Sequence, residues 1–216
     1  MITLHHIPDT RSNRIIWLLE ELGLTYHIEN YRRDPVTKEA DPKLKNIHPL
    51  GKTPILTDGD VCLAESGAII EYLLDHYDSN QQFRPSSYPK KQDYLYWLHF
   101  SEGSLMPLLI MGYVHHIALD KGVPWLVKPI IKKFVMGLQR LFIAPRLKPQ
   151  LDMIETHLSQ QAYFTGADFS AADVQMMIPL QFYQQRFGTD AYPFITAYIE
   201  KNTQRPAYQT SLKKHG

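Results

Sequence analysis

Residues 2–31 change their hydrophobic period twice, and that change limits the fold more than any other feature of the chain. Ile2 to Ile7 is a short apolar-rich run closed by Pro8-Asp9. From Ser12 to Leu22, apolar side chains fall at Ile15, Ile16, Leu18, Leu19 and Leu22 before Gly23, which predicts an amphipathic helix with a stop. Leu24 to Tyr31 then sets Tyr26 and Ile28 against His27 and Glu29, the alternation of a strand. Strand, helix, strand in about thirty residues is a βαβ unit, whose crossover is right-handed.

Residues 32–50 are polar and broken by prolines, which fits a loop or irregular helix. Pro54-Ile-Leu-Thr and Val61-Cys-Leu-Ala flank Asp58-Gly59-Asp60 as a hairpin, and Ser66 opens a helix through His76. This order predicts an α/β thioredoxin-like domain over residues 1–78. The polar Pro- and Ser-bearing stretch 79–89 reads as a linker. Residues 90–216 carry helical patterns only: Lys91 to Met111, Val114 to Leu119, Trp125 to Leu141, Pro149 to Leu158, Ala171 to Phe187 and Pro193 to Gln204. Prolines at 124, 129, 145 and 149 are expected to divide the middle of this all-α domain.

Charge supports the division. Residues 1–80 hold 8 Lys+Arg and 13 Asp+Glu, and the remainder holds 15 and 9, a split of −5 against +6. The one cysteine, Cys62, excludes an internal disulfide and Cys-rich zinc sites, and its mid-strand position reads as a buried apolar site. The amino terminus lacks a basic and apolar leader pattern. The longest apolar run, Leu105 to Val114, is far short of the roughly 20 residues of a spanning helix, so the expected location is cytoplasmic.

Several motifs carry no chemistry. Gly51-Lys52-Thr53 resembles the end of a phosphate-binding loop, but position 46 is Asn and Pro54 leads into a strand. The pairs His5-His6 and His115-His116 lack ligand spacing, so satisfied core or surface histidines are expected and no metal. No G-x-S-x-G surrounds a serine. From Lys121 to Leu151 there are seven basic residues and no acid, interleaved with Trp125, Phe134, Leu141 and Phe142. A solvated face backed by core is favoured there over contact with a membrane surface, and nucleic acid is excluded by the pI near 7.9 and the lack of a recognition motif. Gly166 to Asp173 reads as a folding device, with Ser170 as N-cap, Asp173 at the third helical position and Phe169 set to staple against Val174.

Glu65-Ser66 differs in character. A strand delivers an acid and a hydroxyl to a helix amino end, which holds carboxylates while the acid receives an ammonium; an amino-acid-like zwitterion fits the pair. With His48-Pro-Leu-Gly-Lys-Thr-Pro54 preceding it and Gly166 to Asp173 following, the chain resembles the cytosolic glutathione transferases, most closely a bacterial and fungal branch.

That resemblance implies glutathione as co-substrate and no permanently bound cofactor. It implies Pro54 as a cis-proline presenting Thr53 to the cysteinyl part, Glu65 and Ser66 as the γ-glutamyl pair, and Lys52 and Arg11 beside the ligand. The first strand ends without a tyrosine, so a hydroxyl-type site is implied, with Thr10 as the catalytic hydroxyl and Ser12 as second choice. The loop has no cysteine, which argues against mixed-disulfide chemistry. The electrophile is expected against Met106, Leu109, Met111 and Tyr113. A two-fold homodimer is implied. The competing readings are glutathione-dependent peroxide reduction and a non-catalytic binding protein on this fold.

Overall fold

The computed structural model describes residues 1–121 and 124–214, without the side chains of 116 and 118–121. The second histidine of the His115-His116 pair and the Lys121 side chain therefore lie outside the described atoms.

Four strands form one sheet: β1 (Ile2–His6), β2 (Tyr26–Asn30), β3 (Ile55–Asp58) and β4 (Val61–Ala64), in the order β2-β1-β3-β4. β1 and β2 are parallel, with Leu4 opposite Ile28, and the other two pairings are antiparallel. Helix α1 (Ser12–Glu21) is the crossover between β1 and β2, and α2 (Ser66–Tyr77) follows β4. Ile15, Ile16, Leu18 and Leu19 of α1 and Ile69, Ile70, Leu73 and Leu74 of α2 all enter the core.

After the connecting segment come α3 (Lys90–Phe100), α4 (Met106–Lys121), α5 (Lys128–Leu138), α6 (Ala144–Gln160), α7 (Ala171–Phe187), α8 (Pro193–Thr203) and α9 (Pro206–Lys214). Two expectations need correction here. Pro145 and Pro149 do not divide the chain: a π turn over Gln139–Ile143 joins α5 to α6, Pro145 sits in the first turn of α6, and Pro149 lies inside it. In the first turn the missing N–H of Pro145 costs no helical bond, and Pro149 removes one bond without ending α6. A second π turn, Ser101–Leu105, interrupts the helix expected from Lys91 to Met111.

The sheet, α1 and α2 share one continuous apolar core with α3, α4, α6, α7 and α8, so the change in sequence pattern at the linker is not a break in packing. Ile7, Leu44 and Ile55 form a smaller cluster under the irregular segment. The basic stretch is not a polar face over core. Trp125, Phe134, Leu141 and Phe142 are exposed at 79%, 63%, 70% and 41%, and among the described residues from 124 to 151 only Val135, Ile143 and Leu151 are buried. Cys62 is exposed as well, since β4 is the edge strand and its outer face is uncovered. His5 and His6 are buried and have hydrogen-bonding partners.

Helix α9 has no counterpart in the sequence reading. It packs along α1, where Arg205 makes two bonds to Glu21 at 2.6 and 2.8 Å and Tyr208 meets Trp17 edge-on at 5.0 Å. At the start of α7 the capping box forms around a fully buried Asp173. Its carboxylate accepts from the Phe164 and Ser170 N–H groups at 2.9 and 2.8 Å and from the Tyr198 and Ser170 hydroxyls at 2.8 and 2.9 Å. Phe169 packs its ring on Trp17, Phe83 and Tyr163.

Asp173→Ala leaves two backbone donors and a tyrosine hydroxyl buried without an acceptor. The expected cost is about 3–5 kcal/mol, read as a lowered urea midpoint at unchanged m-value.

Candidate functional site

A cleft of 1320 Å³ opens where the end of β1 and the start of α1 face α4, α7 and α9. One side is polar, with Thr10, Arg11, Asn13, Arg14, Lys52 and Thr53 on its wall. The opposite side is mostly apolar, with Met106, Ile110, Met177, Ile178, Phe182, Tyr208 and Leu212. Its charged lining comprises six cations, Arg11, Arg14, Arg33, Lys45, Lys52 and Arg186, and three acids, Asp9, Asp34 and Glu39, so the cleft favours an anion.

The loop after β1 carries a chain of hydroxyls. Thr10 Oγ1 donates to the Ile7 carbonyl at 2.7 Å and lies 2.6 Å from Ser12 Oγ and 3.1 Å from Thr53 Oγ1. Ser12 is fully buried, and its Oγ lies 2.7 Å from His6 Nδ1. Thr10 therefore meets the cleft, while Ser12 stands behind it and joins it to His6. Arg11, not Ser12 or Thr10, occupies the N-cap position of α1, although the Ser12 N–H also points to Thr10 Oγ1 at 3.3 Å.

Thr53 arrives from the other side through a cis peptide bond to Pro54. The turn before it depends on Gly51, at φ +57 and with an added Cβ only 2.7 Å from Lys45 Cγ, so a side chain there meets both backbone strain and a clash. Lys52 is exposed on the cleft wall.

Glu65 and Ser66 do not line the cleft itself. They stand at the head of α2 behind Arg14, and Glu65 adopts φ +72, a left-handed conformation unusual outside glycine and typical of functional sites. Ser66 Oγ accepts from Arg14 Nη1 at 3.0 Å.

Arg14 organises this region. Its fully buried guanidinium reaches Glu102 at 2.6 Å and Gln175 at 2.9 Å as well as Ser66, and Glu102 also binds Arg11 at 2.8 Å. The Nε and Nη2 atoms find no acceptor among the described residues. Burial pulls the Arg14 pKa down and Glu102 pulls it up, and a guanidinium stays charged throughout. Burial alone would raise the Glu102 carboxyl, but the Arg14 and Arg11 charges outweigh it and hold the pKa below its ordinary 4.5. Sequence reasoning passed over Arg14 and Gln175 because both lie on helix faces that otherwise read as core.

The expected electrophile wall is only partly brought together. Met106 lines the cleft and Ile110 follows it one turn on, but Leu109 is fully buried in the core and Met111 is exposed, neither lining the cleft. Each residue rotates about 100° around a helix, so the cleft face of α4 runs 106–110 and leaves 109 and 111 to either side. Tyr113 lies one turn beyond, beneath the Arg186 guanidinium at 4.5 Å. Sequence reasoning missed the larger share of this wall, on α7 and α9.

A thioredoxin-like sheet with a cis-proline loop, joined by a common cleft to an all-helical unit, defines the glutathione-transferase fold. Family models agree, matching residues 1–75 as the glutathione S-transferase N-terminal domain and residues 143–206 as its C-terminal domain. Glutathione S-transferase 3 of Schizosaccharomyces pombe is 36% identical over 99% of this chain and 88% of its own length. Glutathione S-transferase 1 of Saccharomyces cerevisiae is 31% identical over 99% and 95%. A glutathione S-transferase structure from Actinobacillus pleuropneumoniae superposes with a TM-score of 0.82 at 32% identity, covering 100% of this chain and 93% of that one. The chain belongs to the glutathione S-transferase family and is a glutathione transferase.

Glu102→Gln leaves the Arg14 charge buried without its carboxylate. At pH 7 the expected cost is about 3 kcal/mol by urea unfolding, the lower end for a broken buried pair because water reaches part of Glu102. A depressed folded pKa contributes stability above the unfolded value and loses it as pH falls through the folded one. The gap between wild type and variant therefore narrows as pH drops below 4.5.

Proposed function

We propose that the cleft binds glutathione along its polar side and that Thr10 stabilises the thiolate for attack on a small, mostly apolar electrophile held by the helical wall. The observation that carries this reading is the position of Thr10 Oγ1, on the cleft wall and 3.1 Å from Thr53 Oγ1, beside the amino end of α1. In this reading the Thr53 backbone pairs with the cysteinyl part. Glu65, Ser66 and the amino end of α2 take the γ-glutamyl ammonium and carboxylate, and Lys52, Arg11 and Arg14 supply positive potential.

The chemical task is ionisation. A free thiol has a pKa of about 8.5 and is mostly protonated at pH 7. When glutathione binds, the Thr10 proton turns from the Ile7 carbonyl to the sulfur, while Ser12 and His6 continue to order the hydroxyl from behind. Helix α1 adds favourable potential at its amino end. The thiol proton passes to solvent. The thiolate then attacks the electrophile, forming a carbon–sulfur bond and either expelling the leaving group or giving an adduct carbanion that takes a proton from water. Glutathione-dependent peroxide reduction would use the same thiolate.

Two solved relatives of this fold were crystallised with glutathione or its oxidised form, one from Lodderomyces elongisporus and one from Phanerochaete chrysosporium. They agree with glutathione as co-substrate here. A homodimer in the cytoplasm completes the proposal: the opposite charges of the two parts of the chain favour their pairing across a two-fold axis, and one unpaired thiol, Cys62, suits a reducing compartment.

Thiolate absorbance against pH tests the assignment. Thr10→Ala is expected to raise the bound thiol's pKa by about 1 unit or more and to lower kcat/KM by about tenfold or more near pH 7, with glutathione affinity largely kept. An unchanged titration in Thr10→Ala, with the shift found in Ser12→Ala instead, would transfer the role to Ser12.

A further inference from the structure

The helical wall of the cleft is apolar with one charged exception. Among the described residues between Met106 and Leu212, its only ionisable group other than the Tyr208 phenol is Arg186, in the last turn of α7. The guanidinium lies 4.5 Å over the Tyr113 ring and 5.9 Å from that of Phe182, which itself lines the cleft. Tyr113 and Phe182 meet edge-on at 5.4 Å, so the two rings form a fixed platform. Among the described residues no carboxylate pairs with Arg186 and no hydrogen bond engages its N–H groups. Arg14 is spent on Glu102 and Arg205 on Glu21, whereas Arg186 is exposed and has no such partner among the described residues.

A guanidinium lying over an aromatic ring can still offer its N–H edge, and that edge matches a carboxylate in bidentate geometry. Arg186 is exposed at the edge of the cleft, so water serves its N–H edge until a ligand anion takes that place. The uncharged Gln181 and Gln185, also on the wall, add no competing acid.

From this we infer that the second substrate is an amphipathic electrophile: an apolar body against Met106, Ile110 and Phe182, and a carboxylate at its far end received by Arg186. The inference rests on the reading of the cleft as a glutathione and electrophile site, and it makes Arg186 a specificity-determining residue. Arg186 takes no part in thiolate formation, which belongs to the opposite side of the cleft.

The test uses two synthetic glutathione conjugates, S-(4-carboxy-2-nitrophenyl)glutathione and its 4-carbamoyl analogue, which differ only in charge at the far end of the ring. Titration calorimetry gives the affinity of each for wild type, Arg186→Gln and Arg186→Lys, and needs no turnover. Wild type is expected to prefer the carboxy conjugate by about tenfold, the scale of a charge-assisted hydrogen bond. In Arg186→Gln that ratio should collapse towards 1, and Arg186→Lys should keep a part of it. Because the readout is a ratio within one protein, a loss of folded material does not move it. Equal affinities in wild type, or a tenfold ratio that survives in Arg186→Gln, overturn the inference while leaving the glutathione site intact. Failure of wild type to bind either conjugate overturns the glutathione reading, and this inference with it.

Discussion

A single buried cation ties the structure to its chemistry. Arg14 projects from the crossover helix into a space closed by the head of α2, the π turn before α4, and α7. A guanidinium taken out of water is expensive unless its partners are fixed, and the fold fixes them from three separate segments: Ser66, Glu102 and Gln175. Buried ion pairs contribute little net stability against apolar replacements of the same shape. Their use here is geometric. The network sets the distance between α1, which carries the hydroxyl loop, and α2, whose amino end faces the same region. It also joins both to the helical part that forms the opposite wall.

The site is stiffened from several directions by ordinary packing chemistry. His6, Ser12 and Thr10 form a line of close contacts running from the buried end of β1 out to the cleft. Gly51 and the cis bond before Pro54 shape the turn that brings Thr53 to Thr10. On the far side, Arg205 and Lys214 latch α9 to Glu21 and Glu20 of α1, and Gln181 donates to the Tyr208 hydroxyl at 2.6 Å. The helix that closes the cleft is thus held by the same α1 that opens the hydroxyl loop. Two charged residues of this region give up backbone comfort, Glu65 at φ +72 at the head of α2 and Asp9 at φ +56 on the cleft wall.

Much of the first eighty residues was legible because period changes there are sharp and each is punctuated: Gly23 after α1, Asp58-Gly59-Asp60 between β3 and β4, Ser66 at the head of α2. The capping residues of α7 were equally readable, since Ser170 and Asp173 act through local bonds. The helical part was less so. Prolines at 145 and 149 look like breaks in one dimension, yet Pro145 sits in the first turn of α6 and Pro149 is carried inside it. The cleft wall on α7 was hidden because Met177, Ile178 and Phe182 look the same as core residues in sequence. Arg14 was hidden for a related reason: its partners lie 52, 88 and 161 positions away. Helix α9 is short and weakly patterned, and its place follows from pairings with α1 that span 184 and 194 positions. Local signals located the polar side of the cleft; the helical wall is a product of long-range packing.

The central claim is that the Arg14–Glu102 pair serves the site and not the stability of the fold. The direct measurement is glutathione affinity by calorimetry in the double variant Arg14→Met/Glu102→Gln, with its urea midpoint recorded alongside. Removing both charges together avoids a stranded buried ion, so the unfolding free energy should stay within about 1 kcal/mol of wild type. Glutathione affinity should fall by about tenfold or more, because Ser66 and the head of α2 lose the cation that orients them. Wild-type affinity in a well-folded double variant would contradict the account.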